Sequence, residues 1–171
     1  MSNVCQGKIE QLGWLFERYH KKLFNFYLRT TANRELSEDL TQMVFERILK
    51  YKHSYKEGAS FKTWFYSIAR NVKIDYFRKN KIPTTDIENL NWDRNFGHRD
   101  LETEIERNEK IKMLYEALNT LNDEKRELVI LTQIEGMEYS QIAHIFNITE
   151  NAARVKVHRT LKELKEIFQK K

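Results

Sequence analysis

The sequence predicts an all-α fold made of two small helical domains joined by an acidic linker. The first observation is composition, because only five Gly and one Pro occur among 171 residues, which favours long helices with few tight turns. The second is the recurrence of apolar residues at helical spacing on both sides of residues 80–108. The third is charge: residues 1–80 carry a net +7, residues 81–110 a net −3 and residues 111–171 a net +1.

Two helices are predicted in the first part of the chain. Residues 9–31 place their apolar side chains on one face and most of their cations off it. Ser37 is a candidate N-cap for the second helix, which runs to about Tyr51. Its outer face would show Asp39, Gln42, Met43, Glu46 and Lys50, with Phe45 near the edge. Exposed Met and Phe beside acidic residues suit a protein-docking surface, and an ordinary solvated face is the alternative.

The most informative stretch is Phe61–Lys79. One side of this helix is an apolar stripe, and a second side mixes cations with aromatic rings: Lys62, Tyr66, Arg70, Lys73 and Phe77. Cations follow phosphates, rings stack on unpaired bases, and an Asn such as Asn71 can read a base edge. The pattern therefore indicates a helix that binds single-stranded nucleic acid. The alternative is an amphipathic helix whose basic face is simply exposed to solvent.

Residues 80–108 change character and are predicted to be a linker. They contain Pro83, the only proline, together with many Asp, Asn and Glu residues and a few scattered apolar ones. The acidity of this segment has two interpretations. It promotes solubility, or it lets the segment follow a path that nucleic acid normally takes.

The last part of the chain contains a helix-turn-helix pattern. Helical spacing resumes at Glu109, Asp123 can cap a second helix, and Gly136 can end it. Ser140 and Thr149 can then cap a short helix and a longer basic one, with Asn147 in a left-handed turn between them. The outer face of the final helix carries Asn151, Arg154, Val155, His158 and Lys162, flanked by Lys156 and Arg159. A helical hairpin with a basic end is the alternative to a DNA-reading helix.

Other classes of protein are poorly supported. Cys5 is the only cysteine, so an internal disulfide is excluded, and no apolar run approaches the roughly 18 residues that span a bilayer. The first residues lack a signal-peptide pattern, so a cytoplasmic protein is predicted. The five His residues show no metal-ligand spacing with acids or Cys5, and no Gly-rich phosphate loop is present. We therefore expect no metal, no cofactor and no enzymatic activity.

Taken in order, these segments resemble an extracytoplasmic-function (ECF) sigma factor of bacterial RNA polymerase. The resemblance rests on FERYHKKLFNFYLR, on residues 39–45, on FKTWFYSIARNVKIDYFRK, on residues 118–121 and on GMEYSQIAHIFNITENAARVKVHRTLKEL. It implies a sigma region 2 domain at residues 1–80, a linker at 81–108 and a region 4 domain at 109–171. Gln141, Asn147 and the Ala152-Ala153 pair depart from the residues that are common in the family, which leaves the −35 contacts open.

The resemblance also implies a function without bond chemistry, in which the protein directs core polymerase to promoters. Polymerase binding would fall to Asp39, Gln42 and Phe45. Recognition and melting of the −10 element would fall to Lys62, Trp64, Tyr66, Arg70, Asn71, Lys73 and Arg78. Duplex −35 recognition would fall to Asn151, Arg154, Val155, Lys156, His158 and Arg159. Many members of the family are held inactive by an anti-sigma factor, and the sequence does not identify one.

The main alternative function is a stand-alone helix-turn-helix regulator that binds duplex operators unaided. It would explain residues 111–171 but would leave the aromatic and basic helix and the acidic linker without a role. A protein-binding adaptor with an incidental basic surface would explain still less.

Overall fold

The computed structural model describes residues 10–56, 58–80 and 109–169, and these ranges contain helices and turns without any strand. The helices are α1 (Glu10–Thr31), α2 (Arg34–Lys50), α3 (Phe61–Lys79), α4 (Glu109–Asn119), α5 (Asp123–Val129), α6 (Tyr139–Phe146) and α7 (Glu150–Gln169). A short 3₁₀ turn, Lys52–Ser54, follows α2, and a π-helical turn, Ile130–Ile134, extends α5. The predicted all-α class is confirmed, and the predicted linker at 81–108 lies outside the described residues.

Helices α1, α2 and α3 form the first helical unit, with α1 packed on α2 and α2 packed on α3. Its centre is apolar and aromatic: Leu23, Phe26, Leu40 and Val44 are fully buried, and Phe65 fills the space between the helices. The rings meet at the tilted and edge-on angles that aromatic quadrupoles favour. This packing sets the rotation of α3 about its axis and hence which of its faces meets the rest of the chain.

The start of α2 differs from the prediction. The N-cap is Asn33, whose side-chain oxygen accepts a hydrogen bond from the Leu36 amide at 3.0 Å, so the helix begins three residues before Ser37. Ala32 precedes the cap with φ 51°, in the left-handed region, and reverses the chain there. Ser37 is instead buried, and its hydroxyl donates to the carbonyl oxygen of Asn33.

Two of the predicted caps in the last part of the chain are also displaced. Asn122 rather than Asp123 caps α5, and Glu138 rather than Ser140 caps α6 through a reciprocal capping box with Gln141. The Asp123 carboxylate is turned to Lys73 instead, at 2.9 Å. Thr149 does cap α7, since its hydroxyl accepts from the Ala152 amide at 3.2 Å.

The two helical units pack directly against each other. Helix α3 lies on α6, α5 touches α1, and the main apolar core runs without a break from the first unit into Leu128, Ile142 and Val157. A second, smaller core around Leu118, Leu121 and Leu164 holds α4 against α7. The face of α3 that carries its cations is therefore the face on which the second unit rests.

Candidate nucleic-acid interface

Helices α6 and α7 form a helix-turn-helix in which α7 is the longer, outer helix. Asn147 ends α6 with φ 53°, and the Ile148 amide then donates to the Ala143 carbonyl at 3.0 Å. A short polar side chain is one of the few that tolerates this left-handed conformation, so the prediction for Asn147 is confirmed. Ala143 and Ala153 are buried where the two helices cross, and their small side chains let the helices approach closely.

The outer face of α7 is open to solvent. All six residues predicted to contact the −35 element are exposed: Asn151, Arg154, Val155, Lys156, His158 and Arg159. Arg154 makes only an exposed ion pair with Glu150, at 3.3 Å, and lies over the Tyr139 ring. Lys156 pairs with Glu124 of α5, also at the surface. Exposed pairs of this kind contribute little to stability, so breaking them to form another contact costs little.

The basic and aromatic face of α3 is arranged differently from the prediction, which placed it at the surface. Tyr66 and Lys73 are each only 1% exposed, and Phe77 is buried as well. Among the seven residues predicted to contact the −10 element, Asn71 and Arg78 are exposed. The reason is tertiary, because the second helical unit covers this face and supplies partners for its cations.

Lys73 is the centre of that contact. Its ammonium lies 2.9 Å from both carboxylate oxygens of Asp123 and 2.8 Å from Glu127, which is only 2% exposed. Burial by itself lowers the pKa of Lys73, but Glu127 and Asp123 together outweigh burial, so the pKa is raised. Burial raises the pKa of Glu127, against the opposing pull of Lys73. Lys73 is therefore held as a cation.

Two other cations of α3 meet the second unit. Lys62 donates to the backbone carbonyl of Glu135 and lies 4.0 Å from its carboxylate. The guanidinium of Arg70 lies 3.3 Å from the Glu127 carboxylate and stacks over Phe146, 4.4 Å from the ring centre. Tyr66 is buried beside Glu135, and burial first and that carboxylate second raise the pKa of its hydroxyl.

Trp64 and the polar edge of α3 stay closer to solvent. The indole nitrogen of Trp64 donates to the Ser54 hydroxyl at 3.3 Å, and its ring packs edge-on against Tyr55. Arg78 pairs with Asp75 at 2.8 Å, one turn earlier on the same helix. The exposed part of the predicted −10 surface is thus a narrow strip that includes Asn71.

Sequence reasoning missed the residues that make this contact. Asp123 and Glu127 stand four residues apart, on one face of α5, and this acidic pair was the signal available. Arg126 was missed entirely: it is 2% exposed and donates to the carbonyls of Leu118, Asn119 and Leu121 within 3.1 Å, and to Thr30 of α1 at 3.2 Å. A single guanidinium therefore joins the α4–α5 turn to the end of α1.

Two of the three predicted polymerase-docking residues, Gln42 and Phe45, line an apolar groove between α1 and α2, and Asp39 does not. Asp39 and Gln42 are exposed, whereas Phe45 is 6% exposed and packs against Phe16 with ring centres 4.8 Å apart. The groove measures about 480 Å³, and the residues that line it come from these two helices alone. Glu38 and Glu46 give its polar rim a negative charge. The second helical unit does not line it.

A helix-turn-helix with an exposed basic outer helix, packed on a second unit that carries a basic and aromatic helix, is the architecture of a DNA-binding protein. Residues 15–82 match the family model described as Sigma-70 region 2, and residues 111–164 match the model described as Sigma-70, region 4. The ECF RNA polymerase sigma factor SigX of Bacillus subtilis is 32% identical over 89% of this chain and 80% of its own length. The chain belongs to the family of ECF sigma factors.

Further comparisons agree in length and in fold. The ECF sigma factor SigM of Bacillus subtilis is 28% identical over 90% of this chain and 93% of its own. The sigma factor RpoE of Bartonella quintana, solved in complex with the anti-sigma factor NepR, has a TM-score of 0.70 at 21% identity, covering 94% of this chain and 98% of that one. CnrH, solved with the cytosolic domain of CnrY, has a TM-score of 0.72 at 18% identity, with 98% and 94% covered.

No helix of the described residues has the length and apolar character needed to cross a membrane. The same residues contain no group of three or more His, Cys, Asp or Glu side chains placed to hold a metal ion.

Proposed function

We propose that this protein directs core RNA polymerase to a specific set of promoters, reading the −35 element with α7 and capturing the melted −10 element with α3. The observation that carries the proposal is the exposed basic face of α7 in a chain that belongs to the sigma family over both of its halves. Residues 1–80 would act as the region 2 domain, 81–108 as the linker and 109–171 as the region 4 domain. The protein would act as a transcription initiation factor and would catalyse no reaction itself.

The −35 contact would use the outer face of α7. Asn151, Arg154 and Val155 lie in its first turns, where a recognition helix reaches base edges, and Lys156, His158 and Arg159 follow. The layout supports base reading near the N-terminus of the helix and phosphate contacts further along.

The −10 contact would use α3, with Trp64 and Tyr66 as stacking surfaces, Asn71 for a base edge, and Lys62, Arg70, Lys73 and Arg78 for phosphates. Opening a duplex costs stacking and pairing energy, and a surface that binds unstacked bases recovers part of that cost. Two modest DNA contacts joined through one polymerase reinforce each other through effective concentration, so neither unit needs high affinity alone.

Polymerase would dock at the groove between α1 and α2. Its apolar floor, which includes Phe45, and its acidic rim suit a basic, amphipathic helix of the partner. An anti-sigma factor is a further partner that we propose, on the ground that both structural relatives named above were solved in complexes, one of them with a protein described as an anti-sigma factor.

The experiment that tests the proposal is capture of bacterial core RNA polymerase by the purified protein, followed by transcription from a pooled promoter library. We expect polymerase binding and a defined set of start sites that share two sequence elements. Tight duplex binding by the protein alone, without polymerase binding, would overturn the proposal in favour of a stand-alone regulator. A matched pair of variants is Asp39→Lys on the outer face of α2 and Glu166→Lys at an exposed position of α7. Both reverse one exposed charge, and only the first should weaken capture of polymerase.

A further inference from the structure

The second helical unit covers the part of α3 to which single-stranded DNA is assigned. Three cations of that face, Lys62, Arg70 and Lys73, each meet a carboxylate of the second unit. Tyr66, assigned to base stacking, has its ring enclosed in the same interface, with 1% exposed. A DNA strand cannot reach an ammonium or a ring that is buried to this extent, so the arrangement seen here and −10 binding exclude each other.

We propose that Asp123 and Glu127 form an internal latch, which holds the free protein closed by occupying the cations that otherwise bind the phosphates of the −10 strand. The proposal rests on the proposed function, because it assigns a regulatory state to the same α3 surface. A carboxylate presents the same charge-assisted contact to a Lys or Arg side chain as a phosphate does. The latch therefore competes with DNA for identical partners.

The ionic contacts of the latch do not by themselves make the closed form permanent. Burying two opposite charges costs desolvation free energy that their attraction only partly returns, so such pairs are weak evidence for a permanent contact. The Nε atom of Arg70 and the Oε1 atom of Glu127 are buried close to their ionic partners without a well-aligned hydrogen bond. The charges of the interface are thus paired, whereas two of its buried polar atoms lack a hydrogen bond.

The polymerase-docking groove stays open while the latch is closed. Every residue that lines the groove belongs to α1 or α2, whereas the latch lies between α3 and α5. Polymerase can therefore engage the closed protein first, and separation of the two helical units follows. This order keeps the free protein from occupying single-stranded DNA without polymerase.

The first test is binding of a fluorescein-labelled, random-sequence 20-nucleotide single-stranded DNA by the full-length protein, followed by fluorescence anisotropy. The Asp123→Asn/Glu127→Gln variant should bind about tenfold more tightly, because the apparent affinity of a protein is reduced by the fraction that is in a competent form. The control variant Glu17→Gln/Glu166→Gln removes the same two charges from exposed positions of α1 and α7, outside α5 and its ion pairs. It should change the affinity for the oligonucleotide by no more than about twofold, because it alters only the net charge of the protein.

Small-angle X-ray scattering reports closure independently of DNA. Wild-type protein should show the radius of gyration of a compact chain of 171 residues, about 16 Å, and the latch variant a clearly larger value. An unchanged radius in the variant, or an expanded wild-type protein, overturns the proposal. A variant that expands but gains no affinity for single-stranded DNA overturns it too, because the covered face would then not be a DNA face.

A cross-link keeps the test informative if the latch variant folds poorly. The amide of Gln141 donates to the Ser60 hydroxyl at 3.1 Å, so these positions face each other across the two units. The Ser60→Cys/Gln141→Cys protein in a Cys5→Ser background, closed with a short bismaleimide, should bind the same oligonucleotide at least tenfold more weakly than its own uncross-linked form. Equal binding by both forms overturns the latch.

These outcomes are separate from those of the proposed function. Transcription by core polymerase from the promoter library decides whether the protein is a functional sigma factor. Scattering and oligonucleotide binding, both without polymerase, decide whether Asp123 and Glu127 close it.

Discussion

At the scale of single residues, Arg126 is a buried cation whose partners are backbone carbonyls. Its guanidinium satisfies three carbonyl oxygens at the α4–α5 turn and one at the end of α1. Carbonyls at helix ends lack intrahelical partners, and burying them without a donor is costly. Arg suits the position because its planar group carries five donors in fixed directions.

Replacing Arg126 by Met should therefore destabilise the protein severely. Each carbonyl left without a donor costs about 1–3 kcal/mol, and methionine retains only the apolar stem. Urea unfolding followed by circular dichroism measures the loss. The neighbouring Lys125→Met is the matched control, since Lys125 makes a half-exposed pair with Glu163 and should cost at most about 1 kcal/mol. Equal losses in the two variants would contradict the role given to Arg126.

Arg154 and Arg159 should contribute to duplex recognition. Replacing either by Ala should weaken binding of polymerase holoenzyme to its promoter by about 1–3 kcal/mol if the residue contacts a base edge, and less if it contacts a phosphate. Electrophoretic mobility shift with a promoter from the library measures the effect. Lys165→Ala, which removes one exposed charge from the far end of α7, serves as the control. Binding unchanged in both arginine variants would mean that α7 is not the recognition helix.

Trp64 and Asn71 should act in promoter opening. Loss of a stacking ring costs about 1–3 kcal/mol per base, so the Trp64→Ala/Asn71→Ala protein should open its promoter at least several-fold less, with polymerase binding retained. Permanganate reactivity of unpaired thymines measures opening. A promoter that carries a pre-melted −10 bubble is the control, because it should recover most of the activity. A double variant that opens duplex promoters normally would disprove the melting role.

At the scale of elements, the turn between α6 and α7 decides how the recognition helix is presented. Asn147 occupies the left-handed region with φ 53°, where a Cβ atom is disfavoured and glycine is not. The same turn is closed by the hydrogen bond from Ile148 to Ala143. The orientation of α7 therefore depends on one residue that tolerates positive φ.

The effect of a substitution at Asn147 on stability should depend on whether the new residue tolerates positive φ, and not on its polarity. Asn147→Ala should cost about 1–2 kcal/mol of stability, whereas Asn147→Gly should stay within a few tenths, because only the alanine is strained. Thermal unfolding of both variants gives the comparison directly. Equal stability of the two proteins would show that the left-handed conformation carries no strain here.

At the scale of the whole molecule, the two helical units share one apolar core and one buried ionic cluster. Lys73, Arg70, Asp123 and Glu127 make up that cluster, and Lys73 is the member with two carboxylates. Removing one partner from a buried cluster leaves an uncompensated charge, while replacing all partners by neutral groups does not. The effect of replacing Lys73 on the contact between the units must therefore depend on whether Asp123 and Glu127 still carry their charges.

Lys73→Met should loosen the contact between the units, and neutralising Asp123 and Glu127 in the same protein should restore part of it. Amide hydrogen exchange in α6 is the measurement, because this helix packs on α3 and its protection reports separation of the units. We expect exchange at least roughly tenfold faster in the single variant, with partial recovery in the Lys73→Met/Asp123→Asn/Glu127→Gln protein. Additive effects of the changes would show that the charges are not coupled.

The sequence alone determined the helices, the helix-turn-helix and the family. Helical periodicity and capping act within four residues, so positions such as Asn147 and Thr149 can be assigned without a structure. The same local rules explain why three caps were predicted at the wrong residue. Near Asn33, Asn122 and Glu138 more than one side chain can cap a helix, and tertiary packing decides which of them does.

Only the tertiary structure decided which face of α3 is covered. A cation on an amphipathic helix has the same local signature whether it faces solvent, DNA or a carboxylate, and Lys73 meets Asp123 across 50 positions of sequence. The buried side of α3 depends on how the two units dock, which is a sum of many long-range contacts that no local pattern contains. For this reason the exposed face of α7 was predictable, whereas the burial of the basic face of α3 was not.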